Sequence, residues 1–304
     1  MVSPNAVTKV ACIGTGTIGA GWAAFFLAHG LKVSCWDPAP GYQDKLKALV
    51  DDAWGPLTKM GLAPTADRRN LQCCATLAEA VSDAEFVQES APDREQLKID
   101  LLSEISKSAP SSTIIASSSS LFRPSVLQTK CAHPERVIIG HPFVPSYLLP
   151  LVEIIVAPDT PKEIVSWSEQ FYSGRGKQVV TLKREYDAYI ANRLQTALIA
   201  EALRLIDEGV CDYADIDDVI AYGIGIRWGF MGPGIAAHLA GGKGGIKALH
   251  EHFGWMGSEN ARQNLLTHIE RVAGSTSIQE LEAWRDDNII ALLKARKTRP
   301  SPRS

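Results

Sequence analysis

The sequence predicts an α/β domain with a doubly wound, mostly parallel sheet, followed by an all-α domain. In the first part of the chain, short runs of apolar and β-branched residues alternate with amphipathic helical segments, an order typical of a parallel sheet. From about Asp187 the apolar residues instead recur at helical spacing, for example from Leu194 to Leu205. We therefore divide the 304 residues into an α/β domain over residues 1–184 and a helical domain over residues 185–304.

The individual elements follow from the length and periodicity of each run. Short apolar or β-branched runs predict eight strands: residues 8–13, 32–36, 71–74, 85–88, 113–117, 136–140, 151–156 and 177–181. Helical periodicity between them predicts helices over residues 17–29, 41–61, 93–108 and 161–173. Beyond the sheet we predict helices over residues 190–205 and 212–222, then a mostly helical remainder with glycine-rich breaks at 223–225 and 241–245.

A glycine-rich loop follows the first predicted strand, with Gly14, Gly16 and Gly19 in the spacing G-x-G-x-x-G. In this pattern the first glycine permits a tight turn and the second lets backbone approach a pyrophosphate. The third lets the helix pack closely on the strand. The first helical turn, with Thr17 and Ile18, offers free N–H groups and a positive dipole end to the phosphates. The loop therefore predicts a Rossmann-type dinucleotide site.

Asp37 stands at the end of the second predicted strand, about twenty residues beyond the glycine loop. A carboxylate at this place binds the ribose hydroxyls of the adenosine, and it repels the 2′-phosphate that distinguishes NADP from NAD. The sequence therefore predicts that the cofactor is NAD.

A second group of residues combines Gly140-His141-Pro142-Phe143 with Glu153. His141 is expected just past one strand and Glu153 inside the next, so their side chains can meet at the ligand-binding edge of the sheet. A histidine that accepts a hydroxyl proton works best when a carboxylate fixes its tautomer and stabilises the imidazolium. The pair predicts general-base chemistry on an alcohol. The alternative is that the two residues have no shared role, with the histidine in a surface turn and the glutamate in an edge strand.

Charge and cysteine content exclude several classes of partner. A formal net charge of −3 gives no reason to expect nucleic acid or an anionic membrane surface, and no apolar stretch is long enough to cross a bilayer. The six cysteines form no C-x-x-C pair and no metal-ligand spacing, so no metal is expected. Cys12 and Cys35 lie in predicted buried strands, and no targeting segment is recognised, so we expect a cytoplasmic protein.

Together these motifs resemble the 3-hydroxyacyl-CoA dehydrogenase superfamily, over nearly the whole chain. The segments that carry the resemblance are the glycine loop, Gln88-Glu-Ser-Ala-Pro92, Ala116-Ser-Ser-Ser-Ser120, Gly140-His-Pro-Phe143 and Leu151-Val-Glu153. The resemblance implies that His141 and Glu153 are the catalytic pair. It also implies that Ser120 and Asn192 hold the substrate oxygen.

The same resemblance implies which residues lie near this pair and how the chain assembles. Glu89 and Arg94 would lie near the nicotinamide side of the cleft. The family forms dimers through its helical domain, and this one is too small to bury all its apolar faces alone, so we expect a homodimer. Three departures are visible: Val144 stands where the family usually has Asn, Asp187-Ala-Tyr189 replaces a usual Pro-Gly-Phe, and the segment after Trp255 is shorter than in the L-carnitine dehydrogenase branch.

Within the superfamily, several segments are most similar to the L-carnitine dehydrogenase branch, among them Trp36-Asp-Pro-Ala-Pro-Gly41 and Gly225-Ile-Arg-Trp228. This implies NAD-dependent oxidation of the 3-hydroxyl of a short L-3-hydroxy acid, with L-carnitine giving 3-dehydrocarnitine. Arg227 could pair bidentately with the substrate carboxylate, and aromatic faces could bind its methylated cation. The candidate rings, each of which could instead be core packing, are Phe143, Tyr147, Trp228, Phe230 and Trp255.

Other interpretations stay open on sequence alone. The same chemistry could act on a sugar acid, as in the related lambda-crystallin/L-gulonate 3-dehydrogenase branch, or on a 3-hydroxyacyl-CoA thioester. A thioester has no free carboxylate for Arg227 to bind, which argues against acyl-CoA. A different class is a non-catalytic, crystallin-like protein on this fold. The intact glycine loop and the intact pair of His141 and Glu153 argue against that class.

Overall fold

The structure is a computed structural model that describes residues 1–254 and 257–296. The chain forms two compact units, Met1–Ala197 and Leu198–Ser304. The first is an α/β unit and the second is helical in its described residues, which confirms the predicted fold class. The contact-based boundary falls inside a helix, later in the chain than the boundary that we placed after residue 184 on sequence grounds.

One eight-stranded sheet forms the centre of the first unit. Its strands are β1 (Lys9–Ile13), β2 (Lys32–Trp36), β3 (Leu71–Cys73), β4 (Phe86–Glu89), β5 (Ile114–Ser117), β6 (Val137–Pro142), β7 (Leu151–Ile155) and β8 (Gln178–Thr181). Their order is β3-β2-β1-β4-β5-β6-β7-β8. The strands β1 to β6 are parallel, whereas β7 pairs antiparallel with β6 and parallel with β8. All eight predicted strands are confirmed, with ends that differ by a residue or two.

Helices of the first unit alternate with these strands. They are α1 (Thr17–Ala28), α2 (Tyr42–Met60), α3 (Leu77–Val81), α4 (Glu95–Ser108), α5 (Pro124–Leu127) and α6 (Lys162–Ser173), followed by α7 (Ala191–Asp207), which continues into the second unit. The helices α3 and α5 were not predicted, because one or two turns are too short to show a period. The sign of α3 in the sequence is its N-cap, since the Thr76 side chain accepts a hydrogen bond from the Glu79 amide.

The core of the first unit lies on both faces of the sheet. Along β1, Val10 and Cys12 belong to one apolar cluster while Ala11 and Ile13 belong to the other, as the alternation of side chains along a strand requires. The first cluster contains buried residues of α1, α2 and α6, and the second those of α3, α4 and α5. This three-layer arrangement leaves the carboxyl ends of the parallel strands open at one edge, where such folds bind ligands.

The second unit is built from short helices around a smaller core. Its described helices are α8 (Tyr213–Val219), α9 (Gly225–Trp228), α10 (Pro233–Ala240), α11 (Gly245–Phe253), α12 (Glu259–Ala273) and α13 (Ile278–Ala295). The helix predicted over residues 212–222 instead ends at Val219 and widens into a π-helical turn, Ile220–Ile224, that leads into α9. Of the described helices, none combines the length and apolarity needed to cross a membrane.

Candidate active site

The glycine loop joins β1 to α1, and each glycine has a distinct steric reason to be there. Gly14 has a φ of +84°, and a Cβ there would lie 2.8 Å from the backbone of Ser90 and Ala91. A Cβ on Gly19 would lie 1.8 Å from the carbonyl oxygen of Gly14, so only glycine lets α1 start this close to the loop. Gly16 has no atom within 4 Å of its Cβ position. Its backbone is therefore open to a ligand, as phosphate binding requires.

Asp37 directly follows β2 and fixes the glycine loop. Its Oδ2 accepts a hydrogen bond from the Thr15 amide at 2.8 Å, and its Oδ1 accepts one from the Ala39 amide at 2.9 Å. The carboxylate therefore links the loop after β1 to the segment after β2. It remains half-buried rather than enclosed, so it can still meet a ribose at the cavity wall.

A cavity of about 560 Å³ lies over these elements. Its walls include six of the predicted cofactor residues, the segment Ser90–Asp93 after β4, and Ser118 and Ser120 after β5; the six are Gly14, Gly16, Thr17, Ile18, Asp37 and Arg94. It lies at the carboxyl ends of β1, β2, β4 and β5, where the order of strands reverses and such sheets bind dinucleotides. The open backbone at Gly16 and the N-terminus of α1 fit the phosphates of a dinucleotide.

Glu89 is the one predicted cofactor residue whose carboxylate the structure places away from the cavity surface. Its side chain is fully buried, and its two oxygens accept hydrogen bonds from the Lys98 ammonium at 2.9 and 3.1 Å. The Ser117 hydroxyl also donates to it. We therefore correct the expected position: Glu89 lies beneath the cavity, in a buried ion pair that supports the ends of β4 and β5. Lys98 was missed, although a lysine on the apolar face of a predicted helix, one turn before Leu102, signals a buried partner.

His141 and Glu153 form a buried, hydrogen-bonded pair. They lie directly opposite each other in the antiparallel pairing of β6 and β7, and His141 Nδ1 is 2.9 Å from Glu153 Oε2. Their exposed fractions are 3% and 1%. His141 is inside β6 rather than just past a strand as expected, because the antiparallel partner extends the pairing to Pro142.

The second oxygen of Glu153 is held by backbone. Its Oε1 accepts hydrogen bonds from the amides of Ile190 and Ala191, each at 3.0 Å, at the start of α7. Burial alone would raise the pKa of Glu153, but the hydrogen bonds from His141, Ala191 and Ile190 hold it below its ordinary value. An ionised carboxylate only accepts hydrogen bonds, so His141 Nδ1 carries a proton toward it. The Nε2 atom is then free to act as a base.

Ser120 and Asn192 lie together beside this pair. The Asn192 side-chain amide donates to the Ser120 carbonyl oxygen at 3.3 Å, and Asn192 directly follows Ala191, which binds Glu153. The Ser120 amide in turn donates to Asp93 Oδ2 at 2.8 Å. Asn192 is thus hydrogen-bonded to Ser120 and adjacent in the chain to a residue that binds Glu153, and Ser120 lies on the wall of the cavity.

The aromatic residues predicted to face the substrate occupy different environments. The Phe143 ring meets the His141 ring at 5.5 Å between centroids, nearly edge to face. Tyr147 is half-buried against the apolar cluster that contains α1, where the Cβ position of Gly21 is 3.5 Å from its ring. Tyr147 therefore contributes to core packing as well. Val144 is exposed, and the Val144–Pro145 peptide is cis.

The remaining substrate candidates belong to the second unit. Arg227 and Trp228 are exposed on α9, and within residues 198–254 and 257–296 Arg227 has no ion-pair partner. Phe230 instead packs against the apolar cluster of the second unit, and its ring meets the exposed Trp284 ring edge to face at 5.2 Å. Trp255 lies outside the described residues.

A dinucleotide cavity at the carboxyl edge of a parallel sheet, in the same unit as the buried, hydrogen-bonded pair of His141 and Glu153, is typical of an NAD-dependent oxidoreductase acting on CH–OH groups. Residues 9–185 match the family described as 3-hydroxyacyl-CoA dehydrogenase, NAD binding domain, and residues 189–272 match the C-terminal domain of the same family. The chain therefore belongs to the 3-hydroxyacyl-CoA dehydrogenase family, and its cofactor is NAD.

Individual members of the family are similar to this chain over nearly its whole length. The chain is 43% identical to an L-carnitine dehydrogenase of Nocardiopsis dassonvillei, over 96% of this chain and 93% of that protein. It is 41% identical to an L-carnitine dehydrogenase of Pseudomonas putida, over 96% and 95% of the two chains. A solved structure with the same fold is 5-formyl-3-hydroxy-2-methylpyridine 4-carboxylic acid 5-dehydrogenase, with a TM-score of 0.75 and 24% identity over 95% of this chain and 97% of that one.

Proposed function

We propose that the protein oxidises the 3-hydroxyl of a short L-3-hydroxy acid to the 3-keto acid, with L-carnitine as the substrate and 3-dehydrocarnitine as the product. The observation that carries the chemistry is the hydrogen bond of His141 Nδ1 to Glu153, because it leaves Nε2 as a base inside a buried site. The choice of substrate is supported by the similarity to L-carnitine dehydrogenases over nearly the whole chain.

The chain's own residues divide the work of the reaction. NAD, when bound, supplies the acceptor for the hydride that leaves C3 of the substrate. His141 Nε2 takes the proton of the 3-hydroxyl, and in the reverse direction the imidazolium returns it. Glu153 keeps the imidazole oriented and stabilises its charged form. Ser120 and Asn192 are proposed to hold the substrate oxygen, which positions C3 for transfer.

We also propose a role for each residue of the cofactor cavity. Gly14, Gly16 and Gly19 shape the phosphate loop, and Thr17 and Ile18 are its first helical residues. Asp37 binds the adenosine ribose. Arg94 lines the cavity after β4 and would face the nicotinamide half.

For the substrate ends, Arg227 is proposed to bind the carboxylate as a bidentate partner, a task that suits a planar guanidinium. Its exposure and lack of an ion pair in the described part of the second unit leave its donors available. Trp228 is proposed as a face for the trimethylammonium group, and Phe143, in contact with His141, as a second apolar surface near the reacting carbon.

The test is NADH formation measured across four substrates: L-carnitine, L-gulonate, 3-hydroxybutyrate and 3-hydroxybutyryl-CoA. We expect the highest kcat/KM with L-carnitine. A preference for 3-hydroxybutyryl-CoA would overturn the substrate assignment and leave the dehydrogenase chemistry in place. If none of the four produced NADH, a non-catalytic protein on this fold would become the better interpretation.

We also propose that the protein is a homodimer in the cytoplasm. Helix α7 exposes an apolar stripe, with Leu194, Leu198, Ile199 and Leu203 each between 39% and 66% exposed. A stripe of this kind on one helix is costly in water, and a second copy of the chain can cover it. The cysteines are all free, which suits a reducing compartment.

A further inference from the structure

The turn that precedes α7 has an unusual backbone. Ala188 and Tyr189 have φ angles of +57° and +52°, and they are the only non-glycine residues with positive φ in the described ranges. This left-handed region is unfavourable for any residue with a Cβ. Such conformations persist where the surroundings over-determine them, most often at functional sites. Two in succession therefore point to a segment held in place by its contacts.

The first of these contacts are made by the backbone. The turn directs the amides of Ile190 and Ala191 toward the same atom, Glu153 Oε1, at 3.0 Å each. Successive N–H groups that converge in this way form a small anion-binding concavity. The other oxygen of Glu153 is bonded to His141. The turn therefore holds the carboxylate that orients the proposed base.

The side chain of Tyr189 makes the second set of contacts. It is fully buried, and its ring lies 5.2 Å from the His141 ring, close to edge to face. Its hydroxyl donates to the Phe122 carbonyl oxygen at 2.7 Å. Burial raises the pKa of this phenol, so it remains a donor throughout the working pH range. One side chain thus touches both the base and the segment that follows Ser120.

The segments 120–125 and 185–192 are joined by further contacts in antiparallel order. These are Asn192 to the Ser120 carbonyl at 3.3 Å, Tyr189 to the Phe122 carbonyl at 2.7 Å, Arg123 to Asp187 at 2.7 and 2.6 Å, and the Ser125 amide to Glu185 at 3.0 Å. The Arg123–Asp187 pair is about half exposed, and such pairs contribute little. Among these side chains Tyr189 alone is fully buried, so its hydroxyl is the firmest anchor.

We propose that Tyr189 is a positioning residue, whose hydroxyl holds the Ser120 segment against the pair of His141 and Glu153. The groups proposed to contact the substrate oxygen then keep one geometry, and small displacements of such groups are costly to turnover. The kinetic consequence rests on the proposed dehydrogenase function. The positioning itself is a property of the folded chain and can be measured without a substrate.

The variant that tests this is Tyr189→Phe, which removes the hydroxyl and keeps the ring on His141. We expect kcat to fall by roughly three- to tenfold, the effect of one buried hydrogen bond, with KM for NAD unchanged. Tyr42→Phe is the matched control. The Tyr42 hydroxyl is also buried and also donates to backbone carbonyls, those of Cys35 and Cys74, near the opposite edge of the sheet. This control should lose stability but keep kcat.

A second readout separates the positioning from the proposed activity. Hydrogen exchange at the amides of Ile190 and Ala191 should be faster in Tyr189→Phe than in the wild type, and unchanged in Tyr42→Phe. If the wild type oxidised none of the four substrates while this exchange still rose, the proposed function would fail and the positioning would stand. Unchanged exchange at both amides, or a kcat equal to that of the wild type, would overturn the inference.

Discussion

Asp37 shows how one side chain serves both the fold and the cofactor. Its two carboxylate oxygens accept hydrogen bonds from the amides of Thr15 and Ala39, which fixes the group at the cavity wall. A fixed carboxylate has little freedom to move away from an incoming 2′-phosphate. We therefore expect discrimination between NAD and NADP to depend on this charge, which the hydrogen bonds to the loop hold in place.

Replacing Asp37 with Ser should weaken NAD binding and reduce the preference for NAD over NADP. The change removes charge-assisted hydrogen bonds, each worth about 1.5–3 kcal/mol, so we expect kcat/KM with NAD to fall by roughly ten- to a hundredfold. The measurement is the ratio of kcat/KM for the two cofactors. Asp44→Ser, an exposed carboxylate in the first turn of α2, is the control and should change neither value. Equal use of NAD and NADP by the wild type would contradict this role for Asp37.

Individual residues also show how much of the candidate site could be predicted from the sequence. His141 and Glu153 could be placed together because neighbouring strands bring their side chains to one edge, and the pairing of β6 with β7 does this. Glu89 could not be placed, because its environment depends on Lys98 from another element. Which of two polar residues faces a cavity and which pairs beneath it is decided by tertiary packing, and no local pattern encodes that choice.

At the scale of elements, the contact between α1 and the glycine loop is the tightest constraint near the cofactor site. The Cβ position of Gly19 lies 1.8 Å from the Gly14 carbonyl oxygen, and that atom is backbone and cannot move aside easily. Gly55 in α2, by contrast, has no atom within 4 Å of its Cβ position. A methyl group at Gly19 would therefore push α1 away from the loop, whereas one at Gly55 would meet only its chain neighbour Pro56.

Gly19→Ala should displace α1 from the loop and weaken NAD binding by at least about tenfold, because the phosphates depend on that close approach. Gly55→Ala should leave NAD binding unchanged, because Gly55 lies in α2 away from the cavity wall, and it should bring no gain in stability, because Pro56 disfavours a helical residue with a Cβ directly before it. Calorimetric NAD titration and urea unfolding of both variants measure these effects. Wild-type affinity in Gly19→Ala would show that the loop tolerates a shift of α1.

The loop between β6 and β7 is held by a buried cation. Lys177 Nζ donates to the carbonyl oxygens of Ser146 and Leu149 at 2.5 and 2.9 Å, and it lies 5.0 and 4.2 Å from the ring centroids of Trp22 and Phe25. No carboxylate pairs with it in the described residues. Burial therefore lowers its pKa to about 8, from an ordinary value of 10.5.

This shift predicts a specific pH dependence of stability. Below about pH 8 the lysine is charged in both the folded and the unfolded state, so it adds no pH dependence to the free energy of unfolding. Between about 8 and 10.5 the unfolded state binds more protons, so the free energy of unfolding rises with pH through this group, approaching about 3 kcal/mol in full. Urea unfolding of the wild type and of Lys177→Met from pH 7 to 10 isolates the contribution of Lys177. The thiols and phenols that titrate in this range are present in both proteins, so their contributions cancel in the difference. A constant difference between the two proteins would contradict the shift.

Elements differ in how far sequence alone defines them. The strands were predicted as short apolar or β-branched runs bounded by turns; the inner ones are buried, whereas the edge strands β3 and β8 are partly exposed. The short helices α3 and α5 were not, because fewer than two turns carry no measurable period. The π-helical turn Ile220–Ile224 was not predicted either, because the helical period of the sequence runs on through it to Tyr222.

At the scale of the whole molecule, the apolar stripe on α7 predicts self-association. We expect light scattering to give twice the chain mass of 32.9 kDa. Leu194→Glu places a charge on the stripe, where the wild-type leucine is 66% exposed, and should shift the population toward monomer. Lys59→Glu, on the exposed last turn of α2, is the control and should stay dimeric. A wild type that scatters as a monomer at micromolar concentration would refute the dimer.

For the molecule as a whole, we propose that His141 is the base of an NAD-dependent alcohol oxidation. The most direct measurement is kcat for NADH formation from L-carnitine by His141→Ala, with NAD affinity determined on the same sample. His133→Ala, a partly exposed histidine ahead of β6, is the matched control. Loss of a general base predicts a fall in kcat of roughly 10²–10⁴-fold with NAD affinity little changed, and a smaller fall for Glu153→Gln. Near-normal turnover in His141→Ala would contradict the mechanism.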